Sequence, residues 1–262
     1  MEHIMALFGG MGRMGEGDTA VDQAQEVIYS AWEAPTRRRR VALARKALTI
    51  SPDCADAYLI LASDAAKTID EEIDFYRKGV EAGERALGRE AFEDAAGYFW
   101  GILETRPYMR SRAGLARALW LIGESEEALQ HYREMLRLNP DDNQGIRDVL
   151  LPGLIALGRD EEAEELFKAY EESGSAMWVY SRALLDFRKQ GASRAADRSL
   201  AAALDENEHV PAYLLGRKKM PPALPGYYGI GDDNEAVIYV HESMAAWRST
   251  PGATEWLAAK AG

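Results

Sequence analysis

A repeat of about 34 residues in the middle of the chain constrains the fold more than any other sequence feature. The stretch Leu115 to Pro140 carries Leu115, Ala116, Leu119, Gly123, Ala128, Tyr132 and Pro140 at fixed places. Thirty-five positions on stand Leu150, Leu151, Leu154, Gly158, Ala163 and Phe167. Thirty-three further stand Ala183, Leu184, Phe187, Gly191, Ala196 and Leu200. Apolar residues one turn apart are helical spacing, not strand alternation. The glycine falls where a first helix must end, because it tolerates the left-handed cap conformation. The alanine five places later sits where two helices would cross closely. The large residue one turn beyond it fills the gap, and Pro140 stops the second helix. Three copies in register predict stacked helix–turn–helix units.

That arrangement resembles the tetratricopeptide repeat, and the resemblance implies an extended concave surface. The expected fold is all-α: a right-handed solenoid of tetratricopeptide-like helical hairpins with a C-terminal helical cap. A Gly/Met-rich tail is expected over residues 1–17, the array over 18–206, and the cap over 207–262. The array is irregular at 70–107. There a helix of Asp70 to Leu87 is too long for one repeat half, and a further helix is expected from Phe92 to Glu104. Upstream, helices are expected to end near Pro35 and to run from about Arg37 to Ile50. The array then holds four or five repeat-like units.

The C-terminal phrases NEHVPAYLLGRK, LPGYYGIGDDNEAVIYV and AAWRSTPGATEWL resemble the C-terminal part of the suppressor of tumorigenicity seven family. The match covers about Asp205 to Leu257, with weaker similarity back to Arg112. It implies tetratricopeptide-like helices upstream and carries no catalytic residue. The family's N-terminal membrane-spanning segments have no counterpart here. Asp232 with Glu235 reads as a variant capping box opening a helix from Asp233 to Arg248. Thr250 before Pro251 reads as the cap of a last helix. Val237, Val240, Met244 and Trp247 share one helical face and are expected to cover the end of the array.

Composition limits the function. With 31 basic and 43 acidic residues among 262, the net charge of −12 argues against generic nucleic-acid binding. No apolar run approaches a membrane span, and the start lacks the features of a secretory signal, so a cytoplasmic protein is expected. The single Cys54 excludes an intrachain disulfide and a cysteine-based zinc site, and reads as a small packing residue. The histidines at 3, 131, 209 and 241 form no ligand spacing, and no phosphate-binding loop occurs. Neither a cofactor, a metal nor a catalytic constellation is expected. Acidic pairs such as Asp141-Asp142 suit helix starts.

Two charge features remain. Arg37 to Arg40 form a run at a helix start, opposing the helix dipole; it reads as a solvated face unless packing or a partner compensates. Arg110, Arg117, Arg147, Arg182 and Arg188 lie on the helices that would line the groove. Arginine's planar fork suits an acidic segment or a terminal carboxylate of a peptide. The other reading pairs these arginines with glutamates of their own repeats. The expected function is a non-enzymatic protein–protein interaction scaffold for an unidentified protein or peptide. The alternative is an enzyme or accessory domain with a small-molecule pocket between the array and the C-terminal segment, lined by Tyr213, Tyr227, Tyr228 and Trp247. A self-associating homo-oligomer is a third possibility.

Overall fold

The computed structural model describes residues 19–170 and 174–261, and the tail read over 1–17 lies outside them. All regular structure among the described residues is helical. Two compact units divide the chain at 146/147, inside the stretch read as one array.

The first unit contains α1 (Ala20–Trp32), α2 (Arg37–Ile50), α3 (Ala55–Asp64), α4 (Ile69–Asp94), α5 (Arg106–Leu121) and α6 (Ser125–Leu138). Thr19, Thr36 and Thr68 start three of these helices, each accepting a backbone N–H three residues on. Ala24, Ile28, Ala31, Ala44, Ala47, Cys54, Ala57, Ile60 and Leu61 form its buried core around α1–α3. The small residues let the helix axes approach. The same logic joins α4 to α5: a Cβ at Gly79 would lie 2.7 Å from the Ser111 hydroxyl, and one at Gly83 would lie 2.8 Å from Tyr108 Cβ.

The irregular region differs from expectation. α4 is broken at Gly88, whose φ of 71° and ψ of 163° only glycine adopts readily. No helix runs from Phe92 to Glu104. After Asp94 the chain turns through Gly97, at φ 97°, and makes two short 3-10 turns, Phe99–Gly101 and Leu103–Thr105. Packing decides this segment rather than periodicity. Phe99 is fully buried beside Phe92 and Tyr108, and the Thr105 hydroxyl donates to the carbonyl of Ile102 at 2.8 Å.

Three helix pairs stand where the repeat places them: α5/α6, then α7 (Ile146–Ala156) with α8 (Asp160–Ala169), then α9 (Ala176–Gln190) with α10 (Arg194–Glu206). Their turn glycines 123, 158 and 191 all have positive φ, at 85°, 71° and 63°. Ala128, Ala163 and Ala196 are wholly buried, and Tyr132, Phe167 and Leu200 are buried one turn on.

The second unit adds α11 (Val210–Leu214), α12 (Asp233–Arg248) and α13 (Ala253–Lys260). α12 packs on α9 and α11, with Val237, Val240 and Trp247 buried and Met244 half-buried. α13 starts at Ala253, capped by Gly252 at φ 79°, not at Thr250–Pro251. Thr250 instead closes α12, its hydroxyl donating to the Ala246 carbonyl at 2.9 Å.

Candidate functional site

Four of the five arginines singled out from the sequence have partners inside their own unit. Arg110 on α5 meets the buried Asp56 of α3 with two bonds, Nε to Oδ1 at 3.0 Å and Nη2 to Oδ2 at 2.5 Å. Asp56 also accepts from Gln25 Nε2 at 2.9 Å, and the guanidinium lies 5.3 Å from the Trp32 ring. This pair ties α1, α3 and α5 together. Arg117 is exposed on α5.

In the second unit, Arg182 lies 3.8 Å over the Phe167 ring and bonds Glu164 at 2.8 Å, which Lys189 also bonds at 2.7 Å. Arg188 bonds both oxygens of Asp160, at 3.0 and 3.1 Å, and donates to the Thr250 hydroxyl at 2.9 Å. Arg147 lies over the Tyr170 and Trp178 rings, 5.2 and 5.9 Å from their centres, and 3.9 Å from the Asp148 carboxylate. Phe167 meets Trp178 edge-on at 4.9 Å, so Arg147 and Arg182 flank one aromatic pair. These guanidiniums clamp neighbouring helices.

The cavity that stands out in the second unit has the opposite charge. Asp148 and Val149 of α7, Ser175 and Met177 at the start of α9, Tyr228, and Glu235, Ile238, Tyr239 and Glu242 of α12 enclose about 140 Å³. Among the described residues, no basic one lines it. Asp148 accepts the Trp178 indole N–H at 2.8 Å; burial pushes its carboxyl above the ordinary range, against the pull of that bond and of Arg147. Glu235 is buried and accepts three donors: Ala176 N at 3.0 Å, Asn207 Nδ2 at 2.9 Å and Gly231 N at 2.7 Å. Asp232 does accept the Glu235 N–H, at 2.7 Å, but the other half of the expected capping box is redirected to these three groups. Tyr228 is half-exposed, and its phenol is pushed up by burial and by the charges of Asp148 and Glu235. The buried Tyr239 hydroxyl accepts the Trp247 indole N–H at 2.7 Å.

Beside this cavity the chain from Gly216 to Gly231 has no regular structure, yet it displays Met220, Leu224, Tyr227, Tyr228 and Ile230 to solvent, Tyr227 at 81%. The segment is pinned at both ends. The Lys218 N–H donates to the Ala212 carbonyl at 2.8 Å, and the Gly229 N–H donates to Asp232 at 2.7 Å. Of the four aromatics expected to line a pocket, Tyr228 does so. Tyr227 points to solvent, Tyr213 is buried with its hydroxyl on Asp233, and Trp247 is buried on Tyr239. Sequence reading passed over Glu235 and Glu242 as lining groups because only α12 docking beside α7 and α9 brings them to Asp148.

Cys54 is buried, and its thiol is pushed up to about 11 by burial. Among the described residues no cluster of histidine, cysteine and carboxylate suits a metal, and no helix is long and apolar enough to cross a membrane.

A family model described as ST7 protein matches residues 14–260. The protein ST7 homolog of Caenorhabditis elegans is 25% identical over 88% of this chain and 49% of its own length. The Drosophila melanogaster homolog is 26% identical over 92% and 49% respectively. The suppressor of tumorigenicity 7 protein-like chain of Gallus gallus is 25% identical over 91% and 47%. The chain thus spans about half the length of these curated relatives.

Proposed function

The chain belongs to the ST7 protein family, and from that premise we propose that it is a non-enzymatic interaction scaffold, a solenoid of tetratricopeptide-like hairpins that holds a partner protein. In this reading the acidic cavity of the second unit takes one cationic side chain of the partner, and the apolar residues from Leu224 to Ile230 grip the chain around it. The observation that carries the reading is this juxtaposition of a cavity lined by three carboxylates and no basic residue with exposed tyrosine and isoleucine on a pinned segment. Exposed apolar groups of this kind mark interaction surfaces.

Size separates this reading from a small-molecule site. Ligand pockets run to roughly 300–1,000 Å³, whereas about 140 Å³ suits the head of one arginine or lysine. Four of the five arginines serve the fold's own packing, leaving Arg117 as the one placed to meet an acidic group of the partner.

Panning a displayed random-peptide library against the full chain tests the reading. Peptides with an arginine or lysine flanked by apolar residues should be enriched. They should bind about tenfold or more weakly to a chain with Asp148→Asn and Glu242→Gln, in which charge-assisted contacts are lost. The amide oxygen introduced by Asp148→Asn still accepts the Trp178 bond, so the fold is kept. No enrichment of cationic peptides, or enrichment indifferent to both substitutions, overturns the reading.

A further inference from the structure

The six basic residues of α2 make a second surface, in the first unit and independent of the acidic cavity. Arg37, Arg38, Arg39, Arg40, Arg45 and Lys46 fall within ten positions, and the helix has no acidic residue. Arg37 and Arg40 are tied to the end of α3. Arg37 Nε donates to the Asp64 carbonyl, and Arg40 bonds both Asp64 carboxylate oxygens, at 2.5 and 3.0 Å. Arg38, Arg39, Arg45 and Lys46 have no acidic partner among the described residues. Arg38 and Arg45 flank Ala42 on one exposed line. Between α2 and the end of α3 lies an open cleft of about 570 Å³, lined by Arg37, Arg38, Val41, Ala42, Arg45, Asp64 and Ala65.

Folding alone gives no reason for this arrangement. Cations in the first turn oppose the helix dipole, and like charges three or four residues apart repel. An anion placed there would relieve both. The one carboxylate in the cleft, Asp64, is already neutralised by Arg40, whose bond holds it below the usual carboxylate range. We propose that the Arg38–Arg45 face of α2 docks a short acidic segment of a partner protein.

Three observations favour a short peptide over other polyanions. The apolar side chains of α2, Val41, Leu43, Leu48 and Ile50, are partly buried against the core, so this helix presents no large exposed apolar residue to insert into a bilayer. The chain as a whole carries −12, which repels a long polyanion beyond the reach of the patch, a Debye length of about 8 Å. From Arg37 to Lys46 the helix rises about 14 Å, which four or five extended residues cover at about 3.3 Å each.

Fluorescein-labelled hexaglutamate, titrated by anisotropy against the full chain, reads the site directly. Binding should weaken with added salt and fall about tenfold or more in an Arg38→Glu, Arg45→Glu chain, as lost charge-assisted bonds require. Binding should be unchanged in the Asp148→Asn, Glu242→Gln chain, which keeps this test separate from that of the cavity. A thermal transition no lower than that of the parent checks that the charge-reversed chain is folded. Where that check fails, Arg45→Gln alone replaces it and should weaken binding measurably. Hexaglutamate binding that is absent, or equal in the parent and the α2 variants, overturns the proposal. So does tighter binding to phosphatidylserine vesicles that hexaglutamate fails to displace.

Discussion

His131 on α6 shows how burial and nearby charges together set a residue's charge. It is mostly enclosed, and its imidazole is lowered to about 4, first by burial and then by Arg112, with Glu127 pulling the other way from 3.8 Å. The folded state therefore favours the neutral ring, whereas the unfolded chain protonates near 6.5. The unfolded state then binds more protons as pH falls from about 6.5 toward 4, and the stability tied to the neutral ring is lost across that window. The ceiling on this contribution is about 3 kcal/mol, reduced by solvent screening of the neighbouring charges. Replacing His131 with Gln should flatten the fall in urea midpoint between neutral pH and pH 4. An identical slope in both proteins would show that other groups govern acid unfolding.

At the scale of the element, the turn glycines and buried alanines explain why the helix boundaries around residues 123, 158 and 191 were legible from sequence. Each depends on a local rule, a left-handed cap or a missing side chain, that acts within one period. Ala128 and Ala163 are wholly buried, so Ala128→Leu and Ala163→Leu should each overpack their helix pair and cost about 1–3 kcal/mol. Denaturant midpoints of the two variants measure this; unchanged midpoints would mean the crossings yield freely. Where local rules compete with packing, the sequence misleads. The stretch Phe92 to Glu104 has helical spacing, yet burying Phe99 beside Phe92 and Tyr108 bends it into short turns. Thr250–Pro251 has the right residues for a cap, but Thr250 is engaged by Ala246 and Arg188 and the start moves to Gly252.

Over the whole molecule, the candidate sites were less legible than the fold because their partners lie far apart in the chain. Arg110 and Asp56 are 54 positions apart and Arg188 and Thr250 are 62 apart, beyond any helical period. The run Arg37–Arg40 was visible, and only the end of α3 shows that half of it is tied to Asp64. The Glu235 carboxylate gathers groups 59 and 28 positions away, Ala176 and Asn207, besides its neighbour Gly231. Time is where this matters. Contacts so distant close their loops at an entropic cost, and a contact made late falls on the downhill side of the folding barrier. Glu235→Ala should accordingly quicken unfolding and leave the refolding rate nearly unchanged in stopped-flow chevrons, whereas a slowed refolding arm would put the carboxylate in the transition state. Glu235 would then act as a clasp that closes last and sets how long the second unit stays shut.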